Sequence, residues 1–217
     1  MKVGIIDYGV GNLRSISNAL NEIGAENIVS SNKKELEECQ RLILPGVGAF
    51  NHGVNSLRER DLINFIKNQH FNKIPILGIC LGMQLLTEAS YEFGETKGLE
   101  IIEGKVKKIE DMNNLEKSLR LPIVGWFHIK ETNIKAKKNY FLDKVLTKRL
   151  KGAKYYFIHS YSVNSESNDV IAVTEHLQTK TTAVIAKGNT IGTQFHPEKS
   201  GIYGLEFLKS FIFAALS

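Results

Sequence analysis

The sequence predicts an α/β fold built on a doubly wound, mostly parallel sheet, with antiparallel β additions in the second half. Three observations carry that prediction. Strand-length apolar runs alternate with helically periodic segments through the first half. A cysteine stands between glycines where one such strand gives way to a helix, in Gly78-Ile79-Cys80-Leu81-Gly82-Met83-Gln84. Beyond residue 99 the pattern changes to short β-rich runs separated by polar turns. With 217 residues and 42% hydrophobic content, residues 1–217 have enough apolar side chain for one substantial core and are expected to form a single domain.

Val3 to Ile6 is the first strand. Leu13, Ile16, Leu20 and Ile23 then recur at helical spacing, and Gly24 offers a C-terminal cap. A short strand at Ile28-Val29 precedes a polar segment, and Leu42-Ile43-Leu44 forms the next buried strand. Val54, Leu57, Leu62, Phe65 and Ile66 predict one helix, followed by the strand Pro75-Ile76-Leu77-Gly78-Ile79 that delivers Cys80. In the second half, Leu99 to Ile102, Lys105 to Ile109, Tyr155 to Ile158 and Thr182 to Ala186 are expected as strands at one side of the sheet. Ile191 to Phe195 adds another, and Leu205 to Ala214 closes the chain as an amphipathic helix.

Composition narrows the functional classes. The net charge of +5 is mild and its lysines are dispersed. Small groups at Lys135, Lys137 and Lys138 and at Lys148, Arg149 and Lys151 have no accompanying aromatic or glycine-rich RNA-binding motif, so they are expected to be solvated faces rather than a nucleic-acid surface. The longest apolar runs, Ile74 to Leu81 and Phe211 to Leu216, fall short of the roughly 20 residues that span a membrane. Met1-Lys2 runs directly into the first strand, which predicts no secretory leader. Two cysteines, Cys39 and Cys80, form no disulfide framework and suit a reducing, cytoplasmic setting.

The chemistry centres on Cys80. A nucleophile on a strand-to-helix turn is lifted into a cleft, with the positive end of the next helix favouring its thiolate. The flanking glycines are expected to supply unusual backbone angles and close approach. A cysteine nucleophile also needs a base that returns a proton to the leaving group. Of six histidines, His196 stands out, because Gln194-Phe195-His196-Pro197-Glu198 follows a β-run and Pro197 ends it. Glu198, if the chain stays extended, would face the same way and orient the imidazole. Taken separately, Cys80 allows a buried structural role and His-Pro-Glu a surface loop; together they point to nucleophilic catalysis. Oxyanion donors are sought in the Leu81 amide and in Leu44-Pro45-Gly46-Val47-Gly48-Ala49-Phe50, which is equally compatible with an ordinary strand-ending turn. Asp7-Tyr8-Gly9-Val10-Gly11-Asn12 fails the dinucleotide fingerprint, since its third glycine position is Arg14. Neither cysteine has close metal-ligand spacing, and Cys39 has no assigned role; no metal or cofactor is expected.

The elbow with Gln194-Phe195-His196-Pro197-Glu198 resembles the class I (triad) glutamine amidotransferases, a flavodoxin-like family. The resemblance covers nearly the whole chain. Asp7 to Asn12, Leu44 to Phe50, Tyr156-Phe157-Ile158-His159-Ser160-Tyr161 and Gly192 to Gly201 are similar to the glutaminase subunits of imidazole glycerol phosphate synthase. What the resemblance implies is a Cys80, His196, Glu198 triad that hydrolyses glutamine through a thioester. Oxyanion contacts would come from Val47, Gly48 and Leu81, and glutamine contacts from Gln84, Ser160 and Tyr161. The implied partner is a (β/α)8 cyclase subunit that forms a heterodimer and receives the ammonia, with Val10, Asn12, Trp126 and Lys199 at or near the interface. One segment departs from the pattern: Pro122-Ile123-Val124-Gly125-Trp126-Phe127-His128 lacks the polar residue and the asparagine usual there. The departure falls where the partner is met, and leaves open a paralogue that feeds an ATP-dependent amidotransferase for surface-glycan sugars.

Overall fold

Leu42, Ile43 and Leu44 are all fully buried, as a strand covered on both faces requires, and Leu42 and Ile43 lie parallel to and opposite Gly4 and Ile5. Around this pair the computed structural model describes residues 1–110, 120–132, 141, 144, 145, 152–177 and 179–215. The first half runs β1 (Lys2–Ile6), α1 (Leu13–Glu22), β2 (Glu26–Ser30), α2 (Lys33–Glu37), β3 (Arg41–Leu44), α3 (Phe50–Glu59), α4 (Ile63–Phe71), β4 (Ile76–Ile79) and α5 (Leu81–Leu85). Nine strands follow: β5 (Ala89–Ser90), β6 (Thr96–Lys97), β7 (Lys105–Lys108), β8 (Ile123–Glu131), β9 (Lys154–His159), β10 (Tyr161–Asn164), β11 (Val170–His176), β12 (Thr179–Lys187) and β13 (Thr190–Thr193). A 3-10 turn at Pro197–Lys199 leads into α6 (Gly201–Phe213).

Among the described residues the main sheet has the order β2-β1-β3-β4-β13-β12-β11-β8-β9. From β2 to β13 every neighbour is parallel, and from β13 to β9 every neighbour is antiparallel. The fold class expected from the alternation is therefore present. A smaller four-stranded sheet, β10-β7-β5-β6, lies beside it.

The period-2 alternation of the strands assigns the core to two faces. Val3, Ile5, Ile43, Leu77 and Ile79 join Ile16 and Leu20 of α1 and Phe207 and Phe211 of α6. Ile6, Leu42, Leu44 and Ile76 join Val54, Leu57, Phe65 and Leu85 from α3, α4 and α5. Among the described residues Arg41 is the largest fully buried side chain. It donates to the carbonyls of Gln40, Phe211 and Ala214, so a cation closes the end of α6 where the sequence showed only a strand start.

Four expectations need correction. The helix expected over Val54 to Ile66 is two helices, because Asp61 turns at a φ of 53° between them. Leu99 to Ile102 is not a strand: its amides donate to Leu85, Leu86 and Thr87 carbonyls, so this buried loop closes the open end of α5. The closing helix starts at Gly201 rather than Leu205, since its first turn exposes Ile202 and Tyr203 and hides the helical period. Strands β5, β6, β8, β10 and β11 have no counterpart among the expected runs, being short or lacking a clean alternation; β8 leaves Val124 and Trp126 about half exposed. Gly24 does take a φ of 74° just past α1, as its expected capping role requires. The lysine groups at Lys135, Lys137 and Lys138 and at Lys148, Arg149 and Lys151 lie outside the described residues.

Candidate active site

The strands β1, β3, β4 and β13 end on the same edge of the sheet, beside the point where chain order reverses, and the candidate residues follow them directly. Cys80 joins β4 to α5 with φ 53° and ψ −106°, a conformation that non-glycine residues rarely hold. This corrects the sequence-based account of the glycines: the unusual angles belong to the cysteine, and the glycines serve close approach. A Cβ on Gly82 would lie 2.9 Å from the Leu44 carbonyl carbon and nearer still to its oxygen. One on Gly78 would lie 2.8 Å from the Gly82 oxygen. The elbow closes because two backbones touch where side chains would stand.

His196 leaves the end of β13 and is 1% exposed. Its Nδ1 lies 2.8 Å from Glu198 Oε1, with both side chains sealed from solvent. The route differs from expectation. Residues Pro197–Lys199 coil into a 3-10 turn instead of staying extended, and the turn brings the carboxylate back under the ring. Ser200 Oγ, donating to the His196 carbonyl at 2.6 Å, ties that turn. Burial alone would lower the imidazole pKa; the nearby Cys80 sulfur and the hydrogen-bonded Glu198 carboxylate outweigh it and raise the value to about 9. The opposite ring nitrogen, Nε2, is buried without a protein hydrogen bond, leaving it for another partner.

The oxyanion candidates are split. Val47 and Gly48 are exposed, with Gly48 at φ 103°. The Leu81 amide, however, donates to the Gly46 carbonyl at 3.3 Å, so in this state it is not directed at a ligand. Tyr8 is buried beneath this loop, and its hydroxyl donates to the Pro45 carbonyl at 2.6 Å. Glu92 was not singled out by the sequence; its carboxylate accepts the Phe50 amide at 2.8 Å and anchors the loop's far end.

Among the expected glutamine contacts, Gln84 is buried and its Nε2 donates to the Tyr161 carbonyl at 3.2 Å and to Gln194 Oε1 at 3.0 Å. Ser160 and Tyr161 are half-buried beside it, at the turn between β9 and β10. His159 is buried; its Nδ1 bonds the Tyr161 carbonyl at 2.8 Å, and burial lowers its pKa to about 4, which keeps it neutral. Of the expected interface residues, Trp126 and Lys199 are exposed, and Trp126 meets Tyr156 edge to face. Val10 is buried, and Asn12 caps α1 by accepting the Ser15 amide. Cys39 is buried without a disulfide beside Gly4 of β1, and its thiol donates to the Glu35 carbonyl.

A cysteine on a strained turn, a buried His–carboxylate pair and a glycine-rich loop at one sheet edge form the constellation needed for acyl transfer. The model of the glutamine amidotransferase class-I family matches residues 4–215. Subunit HisH of imidazole glycerol phosphate synthase from Geobacillus kaustophilus is 38% identical over 210 residues, 97% of this chain and 95% of that protein. The same subunit from Halalkalibacterium halodurans is 41% identical over 209 residues, 96% of this chain and 94% of that one. A solved glutamine amidotransferase shares the fold at a TM-score of 0.69 with 19% identity, covering 96% of this chain and 98% of its own. PurLQS from Thermotoga maritima also scores 0.69, at 18% identity, covering 97% and 96%. The chain belongs to the glutamine amidotransferase class-I family.

Proposed function

We propose that this chain is the glutaminase subunit of an imidazole glycerol phosphate synthase, releasing ammonia from glutamine for a cyclase subunit. The observation that carries the chemistry is Cys80 at positive φ on a strand end, with the buried His196–Glu198 pair just beyond the end of the neighbouring strand. What narrows the assignment to this synthase, rather than to a sugar amidotransferase, is the 38–41% identity to HisH subunits over nearly the whole chain.

In this reading the Cys80 thiolate adds to the side-chain amide carbon of glutamine, and the oxyanion forms against backbone amides. His196 Nε2 gives its proton to the departing nitrogen, the C–N bond breaks, and ammonia leaves behind a glutamyl thioester. Water then adds to the thioester carbon while His196 takes its proton, and the C–S bond breaks to release glutamate and restore Cys80. Glu198 holds Nδ1 and stabilises the imidazolium without itself accepting the proton. Val47, Gly48 and Leu81 are the proposed oxyanion donors, and Leu81 can serve only after its amide leaves the Gly46 carbonyl. Gln84, Ser160 and Tyr161 border the glutamine.

The partner is a (β/α)8 cyclase in a heterodimer. Val47, Val124, Trp126 and Ile158 expose apolar surface near the site, and Val124 pairs with Ile158 across β8 and β9, which favours docking there. Val10, Asn12 and Lys199 border the same edge. Direct transfer suits ammonia, which water at neutral pH would protonate and make non-nucleophilic.

Ammonia release from glutamine, measured for the chain alone and with a cyclase carrying its nucleotide ligand, tests the reading. Low turnover alone, stimulation in the complex and loss of both with Cys80→Ala are expected. Equal turnover with and without liganded cyclase, or glutamine hydrolysis surviving Cys80→Ala in the complex, would overturn it.

A further inference from the structure

Gln194 lies immediately before Phe195 and His196 and is fully buried, yet the acyl-transfer steps give its side chain no task. Its neighbours determine which way its amide points. The Tyr161 carbonyl can only accept, so the Gln84 atom facing it is the nitrogen, Nε2. The second hydrogen on that nitrogen needs another acceptor, so Gln194 turns its Oε1 toward Gln84 at 3.0 Å. The remaining end of the Gln194 amide is then a donor, and it faces Cys80 Sγ at 3.6 Å. His159 Nδ1 shares the same Tyr161 carbonyl and keeps that anchor in place. Just past β13, the Gln194 amide donates to the Ala183 carbonyl of β12 at 2.9 Å, which fixes the base of the side chain.

We propose that Gln194 is a positioning residue for the nucleophile, its side-chain N–H holding the Cys80 thiolate while its carbonyl oxygen secures Gln84 at the glutamine site. This rests on the reading of Cys80 as the nucleophile. The chemistry of the sulfur explains why such a donor is needed. Cys80 is 8% exposed, so little water can solvate an anion there. His196 faces the sulfur with its charge and Tyr8 lies near it, but the remaining hydrogen-bonding neighbour, the Ile158 carbonyl at 4.0 Å, accepts from the thiol and repels the thiolate. An N–H whose direction is set two hydrogen bonds away favours the ionised sulfur without needing to reorient when the proton leaves. The same linkage joins the nucleophile to Gln84, so glutamine arriving beside Gln84 meets a sulfur already held in place.

The test is the pH profile of iodoacetamide alkylation at Cys80, read peptide by peptide so that Cys39 is separate, in the full chain and two variants. Gln194→Glu keeps the acceptor for Gln84 and loses the donor; Gln194→Met loses both without adding charge. Each variant is first checked for its circular dichroism and melting midpoint; a shift in folded Gln194→Met, which adds no charge, supports the proposal, and an unmoved profile in either folded variant overturns it. The expected result is alkylation of Cys80 about tenfold slower at pH 7, with the profile displaced to higher pH by roughly one unit. The acid limb of kcat for glutamine hydrolysis should move the same way, with KM changing less than kcat. An unmoved alkylation profile in a folded variant overturns the proposal, including when the melting midpoint has fallen, because Gln194 would then be structural only. Glutamine hydrolysis surviving Cys80→Ala would instead overturn the underlying assignment of the nucleophile, whatever the Gln194 variants show.

Discussion

Gly82→Ala tests the elbow, because two opposed effects give the substitution opposite signs. Gly82 lies inside α5, where alanine is intrinsically better than glycine by about 1 kcal/mol. If the site had room, the variant would be more stable. The structure leaves none: the new Cβ would lie 2.9 Å from the Leu44 carbonyl carbon, with the oxygen closer. Ordinary contact begins near 3.4 Å, and the obstacle is backbone of a central strand rather than a side-chain end that can swing away. Relief requires α5 to move off β3 by about 1 Å, at the upper end of the 1–3 kcal/mol typical of overpacking. Taking about 3 kcal/mol against the 1 kcal/mol gained, the net loss is about 2 kcal/mol, or roughly 4–8 °C in melting midpoint for a chain of this size. Differential scanning calorimetry reads that shift directly. Because Cys80 precedes the displaced turn, glutamine hydrolysis should fall by about 100-fold as well. A melting midpoint equal to or above that of the wild type would refute the reasoning, since it would mean the Leu44–Gly82 contact yields without cost.

The remaining predictions concern charge and docking. By NMR titration, His196 should lose its proton at about pH 9, and the midpoint should fall in Cys80→Ala, which removes one of the two partners that raise it. Since the folded value lies above the ordinary 6.5, the stability this group contributes is complete below about pH 6.5 and fades as pH rises through 9; a wild-type midpoint below 6.5 would contradict this. Trp126→Ala should leave the melting midpoint of the isolated chain within about 2 °C, because the side chain is half exposed and loses mainly its edge contact with Tyr156. Its dissociation constant for the cyclase, measured by calorimetry, should rise at least tenfold. An unchanged constant would remove Trp126 from the interface.

Legibility followed the range of the interactions. The parallel half could be read because β1, β3 and β4 are buried on both faces and must be continuously apolar, while α1 must show a 3.6-residue period. The elbow was readable for the same local reason, although the sequence attached the strain to the wrong residues. Glu198 was placed beside His196 by proximity in sequence, but through an extended strand that the structure replaces with a turn. The second half resisted. Strand β8 pairs with β9, and β11 lies between β8 and β12, so these strands are held by partners distant in sequence rather than by a pattern of their own. Leu99 to Ile102 has the apolar composition of a strand but uses its amides to close α5.

Cys80, His196, Glu198 and the glycine-rich loops could be named in advance because each is a residue type required by chemistry, carried on a short motif whose backbone geometry is local. The arrangement of their surroundings could not. Gln194 is one glutamine among several in the sequence; only folding brings the Tyr161 carbonyl, Gln84 and Cys80 together around it and thereby decides which end of its amide meets the sulfur. The Leu81 amide is an oxyanion donor by position in the motif, yet the fold gives it to Gly46. Arg41 carries a strand-start pattern in the chain and becomes a buried clamp on the end of α6. The difference is physical: residue chemistry and local backbone preference are properties of a few neighbouring positions, whereas the direction of a hydrogen bond is set by whatever the rest of the chain brings to face it.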